Sequence, residues 1–271
     1  MRPIMFLSDF GLADPFVGLC HSVIERIAPG AKVIDLTHGI APQAIRHGAA
    51  TLADCVGWLP PGVCLAVVDP GVGTARRGLI VVAGDQLLVG PDNGLLWPAA
   101  QVLGGVSGAW ELRADPAASP TFHGRDVFAP ASARLAAGGD PESLGIAMST
   151  DDLTELALPA ARVSAGFIEA EVLAVDRFGN LQLCATGADL KAAGFAQGQQ
   201  ILVTAGGGEH VASVVATFAG APPASIVVLE DSLGRAAVAV NAGDASKRLG
   251  AAREAPVILR ATASQSGAEP G

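Results

Sequence analysis

Three predicted strands in the N-terminal half of the chain end in polar residues that could carry chemistry. Asp9 ends the first strand, Thr37 and His38 end the second, and Asp69 ends the third. Ligands of parallel α/β sheets bind at the carboxyl ends of the strands, so these side chains are expected at one edge. Taken singly, Asp9 or Asp14 is better explained as the N-cap of the following helix, and His38 as a structural histidine. The three strand ends together favour a binding site.

A glycine-rich stretch with two arginines follows the third apolar run, in "VVDPGVGTARRG", residues 67–78. The pattern is typical of a structural turn, in which Pro70 and the glycines supply the backbone angles, or of a phosphate-binding loop. The phosphate interpretation is weaker, because neither GxxxxGK[ST] nor GxGxxG is present and because Asp69 would repel phosphate.

A second polar stretch, "TFHGRDVFAP", places His123, Arg125 and Asp126 directly before a predicted helix. One explanation is that Asp126 caps the helix and pairs with Arg125. The other is that His123, at a junction between loop and helix, faces a cleft. In the C-terminal half, "VDRFGN" is typical of a hairpin that turns at Gly179 and Asn180. Spacing alone names no reaction for these residues.

The elements that must position these residues alternate between strand and helix. Strands are predicted in "PIMFLSD", "AKVIDLTHGI" and "GVCLAVVD". Helices are predicted in "PFVGLCHSVIERIAPG", with Val17, Cys20, Ile24 and Ile27 on one face, and in "PQAIRHGAATLADCVGWL", opened by Pro42. Because the strands are apolar almost throughout, they predict a parallel sheet covered on both faces.

The pattern changes after about residue 158. Before it, "RGLIVVAGDQLLVGPDNG" predicts a hairpin turning at Gly84 and Asp85, and "GRDVFAPASARLAAGGD" predicts a helix ending at a Gly-Gly pair. After it, short strands alternate with Gly and Asp turns. We therefore predict an α/β domain at 1–158 and a β-rich domain at 159–271, with a disordered tail from about residue 262.

Composition limits the classes of function. Of the 271 residues 50% are hydrophobic and 16% charged, which is typical of a packed globular protein. The net charge of -9 argues against nucleic acid or anionic membrane as the main partner.

No run reaches the roughly 18 apolar residues that span a bilayer, and Asp9 interrupts any signal-like core, which predicts a cytoplasmic location. Four cysteines without CxxC spacing are expected to be reduced, and five histidines without HExxH spacing argue against a transition-metal site.

Seven motifs, in order, resemble the S-adenosyl-L-methionine (SAM) hydroxide adenosyltransferase family, relatives of the SAM-dependent fluorinase and chlorinase. They span residues 3–250 and read "FLSDFGLADPFVG", "DLTHGIAPQAIRHGA", "VVDPGVGTARR", "GPDNGLL", "FHGRDVFAPAS", "VDRFGN" and "DSLGRAAVAVNAGDA". The resemblance implies an N-terminal α/β sandwich with a largely parallel sheet, a smaller C-terminal β-barrel, and a homotrimer with active sites between subunits. The implied reaction is hydrolysis of SAM to adenosine and L-methionine, with SAM as substrate and with neither cofactor nor metal.

The family's Asp-Arg-His set falls on Asp69, Arg76 and His123 as catalytic residues. Arg76 is preferred to Arg77 because the family's arginine stands seven residues after its aspartate. In the halogenating relatives a Tyr replaces Asp69 and a long loop follows the motif. This chain has neither feature, which favours water over halide.

The resemblance also implies residues that hold the ribose and the methionine end of SAM. Asp9 matches the residue that binds the ribose hydroxyls. Asp14 and Asp176 match positions at the methionine end, with Asp176 on the ammonium group. Ser232 matches a further methionine contact, but Leu233 follows it where the halogenases have Arg, so carboxylate recognition is expected to differ.

The remaining implied contacts surround the adenine. Phe178 and Asn180 would meet the adenine, with Asn180 donating or accepting a hydrogen bond on its edge. Val240 and Ala242 would contact the base through backbone groups.

Water attacking C5′ of SAM must be polarised or deprotonated by side chains if no metal is bound. Arg76 cannot be the base, because guanidinium stays protonated. We expect His123 to polarise the water or accept its proton, because an arginine-paired Asp69 is expected to be too acidic. Two alternatives stay open: SAM-dependent halogenation, and a non-catalytic protein that binds adenosine or SAM.

Overall fold

The computed structural model describes residues 1–113 and 115–262. The chain divides into two compact units, one of residues 1–158 and one that begins at Pro159. The tail that the sequence predicts to be disordered lies, apart from Thr262, outside the described residues. No helix in the described ranges combines the length and apolar character needed to cross a membrane.

The first unit is built on a sheet whose strands run in the order β2-β1-β3-β5-β4-β6-β7. Its described strands are β1 (Ile4–Ser8), β2 (Val33–Thr37), β3 (Val63–Val67), β4 (Gly78–Ala83), β5 (Gln86–Pro91), β6 (Gly108–Leu112) and β7 (Gly145–Met148). Its described α-helices are α1 (Phe16–Ile27), α2 (Ile45–Cys55), α3 (Trp97–Val102), α4 (Ala129–Ala136) and α5 (Pro141–Leu144). Strands β2, β1, β3 and β5 are parallel, and the others extend the sheet in antiparallel fashion.

Apolar side chains cover both faces of this sheet, as the sequence predicts. On one face Phe6 and Ile80 pack with α1 and α4. On the other, Met5 and Leu88 pack with α2 and α3. Full burial of each such side chain contributes about 1.5–3 kcal/mol, so the two cores hold the strand ends in fixed positions.

Helix α1 has the predicted buried face but not the predicted N-cap. Val17, Cys20 and Ile24 are buried on one face of α1, as expected. No side chain caps the start of this helix, so neither Asp9 nor Asp14 serves as its N-cap.

The second helix does not open at Pro42. Gln43 has φ +63°, which is outside the helical region, and α2 begins only at Ile45. The predicted hairpin of β4 and β5 is confirmed, because Ala83 pairs with Gln86 across the Gly84–Asp85 turn.

The second unit is a closed β-barrel, as the resemblance implies. Its described strands are β8 (Arg162–Ser164), β9 (Phe167–Val175), β10 (Leu181–Thr186), β11 (Gln200–Ala205), β12 (Gly208–Val214), β13 (Ile226–Glu230), β14 (Arg235–Val240) and β15 (Pro256–Ala261). They pair in the order β10-β14-β13-β12-β11-β15-β9, and β9 pairs with β10 to close the ring. Strand β8 pairs with β9 outside the ring, and the described α-helices are α6 (Gly187–Ala192) and α7 (Ala245–Leu249).

The four cysteines are free, and Cys20, Cys64 and Cys184 are buried while Cys55 is half-buried. Burial raises the pKa of Cys20 and of Cys64 to about 12. These thiols are therefore protonated at neutral pH and behave as small apolar groups, as the sequence predicts.

Candidate functional site

The structure brings Asp69, Arg76 and His123 into contact just beyond the end of β3. Arg76 Nε donates to Asp69 Oδ1 at 3.1 Å, and Arg76 Nη2 donates to Asp69 Oδ2 at 2.6 Å. The same Nη2 lies 3.0 Å from His123 Nδ1. The side chains of Arg76 and Asp69 are only 9% and 6% exposed. One guanidinium therefore holds a carboxylate and an imidazole that lie 54 residues apart in the sequence.

The remaining contacts of Arg76 fix its plane. Its Nη1 donates to the carbonyl of Arg77 at 2.8 Å, and its guanidinium carbon lies 5.3 Å from the centre of the Phe128 ring. Arg77 contacts a different carboxylate: its Nε donates to Asp92 Oδ2 at 2.8 Å, and its Nη2 donates to the carbonyl of Asp152. Arg76, and not Arg77, therefore belongs to the cluster with Asp69 and His123.

The hydrogen bond from Arg76 determines which proton His123 carries. Guanidinium is a donor only, so His123 Nδ1 must accept, and the neutral imidazole then carries its hydrogen on Nε2. Burial lowers the pKa of His123 below its usual 6.5, and Arg76 lowers it further while Asp69 opposes both. His123 is therefore neutral at pH 7 and presents an N–H group.

Burial raises the pKa of Asp69 above its usual 3.8, and Arg76 opposes this shift. The opposite shift is expected if only the arginine is considered, because the loss of water around a carboxylate raises its pKa. Asp69 is consequently a better proton acceptor than its pairing with arginine alone predicts.

Glycine is required in the loop between Asp69 and Arg76. Gly73 has φ +78°, and a Cβ on it would collide with the carbonyl oxygen of Pro120. The loop that carries Arg76 thus packs directly on the loop that leads to His123. The structural-turn interpretation of this stretch is correct at Gly73, whose backbone angle favours glycine.

The stretch after His123 forms a π-helical turn, Gly124–Phe128, that leads into α4. Single π turns inside helices are frequent at functional sites. Arg125 and Asp126 pair with each other at 2.6 and 2.8 Å, and Asp126 accepts the backbone N–H of Ser119 at 2.9 Å. The predicted local ion pair is therefore present, but Asp126 caps neither this turn nor α4.

An open cavity of about 320 Å³ in the first unit is lined by Asp9, Asp69 and His123. Asp9 Oδ2 accepts the backbone N–H of Gln43 at 2.8 Å, and Gln43 has a positive φ. Sequence reasoning missed Gln43 and Phe122, which also line the cavity.

Several polar residues singled out in the sequence of this unit do not line the cavity, among them Asp14, Thr37 and His38. Asp14 is exposed in the loop before α1. His38 is buried and bonds Ser8 Oγ through Nδ1 at 2.8 Å.

The second unit contains the turn "VDRFGN" between β9 and β10. Asp176 Oδ1 accepts the backbone N–H groups of Phe178 at 2.8 Å and Asn180 at 2.9 Å. Asp176 Oδ2 accepts the side-chain amide of Asn180 at 2.8 Å. Gly179 has φ +84° and leaves no room for a Cβ against the carboxylate of Asp244. Asp176 therefore builds the turn, as the hairpin interpretation predicts.

An open, largely apolar cavity of about 580 Å³ in the second unit is lined by Phe178, Asn180, Val240 and Ala242. Phe218 also lines it, and sequence reasoning missed this residue because "ATFAG" carries no polar or motif signal. The ring of Phe178 is largely exposed, while Asn180 is buried. This cavity therefore combines an aromatic surface with one buried amide.

Ser232 is exposed in the turn between β13 and β14 and does not line either cavity. This turn is held by Asp231, whose Oδ1 accepts the backbone N–H groups of Leu233 at 2.8 Å and Arg235 at 3.0 Å. It repeats the arrangement seen at Asp176.

Comparisons with known proteins cover almost the whole chain. The SAM hydroxide adenosyltransferase N-terminal domain matches residues 4–145, and the C-terminal domain of the same family matches residues 170–258. An (R)-S-adenosyl-L-methionine hydrolase of Salinispora tropica is 48% identical over 91% of this chain and 93% of its own. One of Thermus thermophilus is 42% identical over 96% of this chain and its whole length. A fluorinase of an Actinoplanes species is 29% identical over 73% of this chain and 76% of its own.

A solved structure has the same fold over nearly the whole chain. An uncharacterized conserved protein from Thermotoga maritima superimposes with a TM-score of 0.90 at 32% identity, over 95% of this chain and 99% of that one. With both family domains matched in order and relatives above 40% identity along nearly the full length, the chain belongs to the SAM hydroxide adenosyltransferase family.

Proposed function

We propose that this protein hydrolyses SAM to adenosine and L-methionine. The observation that carries the proposal is the buried contact of Asp69, Arg76 and His123 at a cavity that also presents Asp9. Family membership supports it, as do relatives at 42–49% identity that are named (R)-S-adenosyl-L-methionine hydrolase. The fluorinases are more distant, at 26–29% identity.

The proposed reaction is an in-line displacement at C5′. A bond forms between a water oxygen and C5′, the bond from C5′ to sulfur breaks, and its electron pair stays on sulfur. The sulfonium thereby becomes the neutral thioether of methionine, and the water loses one proton. Because the leaving group needs no stabilising charge, the protein must mainly hold the water in line, which can contribute roughly 7–11 kcal/mol.

The contacts of the cluster support a different role for each member. Arg76 stays protonated and holds the other two side chains in place. His123, whose Nδ1 accepts from Arg76, can donate from Nε2 to the water oxygen and orient it. Asp69, with a pKa raised by burial, is then the acceptor for the proton of the water. We therefore propose that Asp69, and not His123, is the base.

We propose that Asp9 binds the ribose hydroxyls, because it lines the same cavity as Asp69 and His123 and because Gln43 engages only its Oδ2. The roles of Asp14 and Ser232 at the methionine end rest on the resemblance alone. Asp176 can still accept an ammonium donor, since each carboxylate oxygen has more than one acceptor site.

For the adenine we propose the cavity of the second unit. Phe178 and Phe218 offer ring faces, and the amide of Asn180 offers a buried polar group for the base edge. Val240 and Ala242 lie at the end of β14 and beyond it, where backbone groups border the same cavity. A cavity with two aromatic rings and one buried amide suits a flat base with a polar edge.

We further propose a homotrimer in which the first unit of one subunit and the second unit of another form each active site, as the resemblance implies. A cytoplasmic location remains a prediction, supported by four free cysteines, which are typical of reducing compartments.

One experiment separates this function from its alternatives. The purified protein is incubated with SAM in heavy-oxygen water, with and without fluoride or chloride, and the products are identified by mass spectrometry. We expect labelled adenosine and free methionine in all samples. A halogenated adenosine product would indicate halogenation, and bound adenosine without any methionine release would indicate a binding protein.

A further inference from the structure

Three potential metal ligands converge outside the cavity of the first unit. His21 lies on α1, Asp35 on β2, and His38 directly follows β2. His21 Nε2 is 2.9 Å from Asp35 Oδ1, and His38 Nε2 is 3.1 Å from the same oxygen. The three ligand atoms all lie within 4.8 Å of one another. Among the described residues this is the cluster of histidine, cysteine and carboxylate groups close enough to hold one ion.

The two distances to Asp35 Oδ1 are close to those expected around a four-coordinate ion. Bonds of 2.0–2.1 Å at tetrahedral angles place neighbouring ligand atoms about 3.3 Å apart. The separations of 2.9 and 3.1 Å are within a few tenths of an ångström of that value. Two imidazole nitrogens and one carboxylate oxygen form a ligand set that suits zinc and its neighbours and not magnesium or calcium.

His38 provides a second, independent observation. Its side chain is only 3% exposed, and its Nδ1 is fixed by Ser8 Oγ at 2.8 Å. Its Nε2 lies beside Asp35, yet no group among the described residues forms a hydrogen bond of good geometry with it. Metal-bound histidines are oriented in this way, with one ring nitrogen held by a neighbour and the other left to the ion.

Access to the cluster comes from the solvent side. The side chains of His21 and Asp35 are 35% and 42% exposed, so an ion can reach them without passing through the core. The His38 and Phe6 rings pack in a T-shaped arrangement, with ring centres 4.6 Å apart.

We propose that His21, Asp35 and His38 bind one divalent transition-metal ion of the zinc class, with water completing the coordination. The ion would link α1 to the end of β2 and is separate from the reaction at Asp69. Metal binding at this cluster does not depend on what the protein does to SAM.

The test is calorimetric titration of chelator-treated protein with Zn²⁺, alone and with excess Mg²⁺, and measurement of Tm with and without Zn²⁺. We expect one ion per chain, no competition by Mg²⁺, and a higher Tm in Zn²⁺. His21→Gln and Asp35→Asn should raise the Kd at least about tenfold and remove the rise in Tm. The glutamine can still donate to Asp35, so a merely structural hydrogen bond would survive the first change.

His210→Gln is the matched control, because this histidine lies on β12 in the second unit. It should bind Zn²⁺ like the unaltered protein. Absence of binding, or equal affinity in all three variants, would overturn the proposal. Co²⁺ in place of Zn²⁺ should give the visible absorption of a tetrahedral site, lost in His21→Gln.

Discussion

Arg76 and Arg77 are neighbours in the chain but contact different carboxylates. Arg76 bonds Asp69 with two nitrogens and His123 with one of them. Arg77 bonds Asp92, whose side chain is only 3% exposed. The planar fork of guanidinium makes both arrangements possible, and a lysine ammonium cannot reproduce either. The two positions therefore form a matched pair for substitution.

Arg76→Lys should lower kcat for SAM hydrolysis by about 10²-fold or more, which is the usual loss when one positioned donor is removed. Lysine retains the charge but cannot hold Asp69 and His123 together. Arg77→Lys should leave kcat near its original value and lower Tm, since it weakens a bond to a buried carboxylate. Steady-state kinetics and thermal melts of both variants provide the measurement. Equal kcat losses in the two variants would contradict the assignment of Arg76.

The resemblance predicted which residues form the cluster, and it could not predict their protonation. The hydrogen on His123 depends on a contact with an arginine 47 residues away. The pKa of Asp69 depends on how much water surrounds it. Both follow from three-dimensional packing, which motif spacing does not contain.

At the scale of elements, the site depends on how closely two loops approach. The loop after β3 carries Arg76, and the loop before the π-helical turn leads to His123. Gly73 lies where they meet, with a positive φ and with the Pro120 carbonyl against it. Gly71 lies two residues earlier in the same loop, where a Cβ would meet only ordinary contacts at 3.6 Å and beyond.

Gly73→Ala should separate the two loops and therefore lower both kcat and Tm. Its left-handed backbone alone costs an alanine about 1 kcal/mol, and the collision with Pro120 adds to that. Gly71→Ala serves as the control and should leave both quantities nearly unchanged. Activity assays and melts of the two alanine variants measure the difference, and similar behaviour of both variants would show that the close approach is not needed.

The sequence predicted elements well where an apolar pattern was long. The alternation of β1, α1, β2, α2 and β3 and the β4–β5 hairpin are confirmed. The start of α2 was wrong, because a positive φ at Gln43 leaves no trace in the pattern. Strands β6 and β7 were not predicted, since they are partly exposed and are defined by pairing with distant strands.

At the scale of the whole molecule, the predicted site residues divide between the two units. The cavity of the first unit is lined by Asp9, Asp69 and His123, and that of the second by Phe178 and Asn180. Neither cavity is lined by all of the residues that we propose for the reaction and for the recognition of SAM. This division is what the proposed sharing of sites between subunits would produce.

Mixing two inactive variants tests that sharing. Asp69→Asn damages the first unit and Asn180→Ala the second, and each alone should hydrolyse SAM poorly. If the subunits of a trimer exchange at random, about one quarter of the sites combine two intact units, so about one quarter of the original activity should return. Light scattering should give three times the mass of one chain. A mixture as inactive as its components would argue for sites confined to single subunits.

The contacts of Asp92 determine where the first unit could be cut for separate study. Asp92 accepts the backbone N–H of Thr154 at 2.9 Å, and its other oxygen accepts Nε of Arg77. A fragment ended at residue 145, where the match to the N-terminal family domain stops, would remove Thr154 and open the surface above a buried carboxylate. We therefore expect the shortest fragment that folds by itself to extend through Leu158, because the segment after residue 145 supplies the contacts to Asp92 and Arg77.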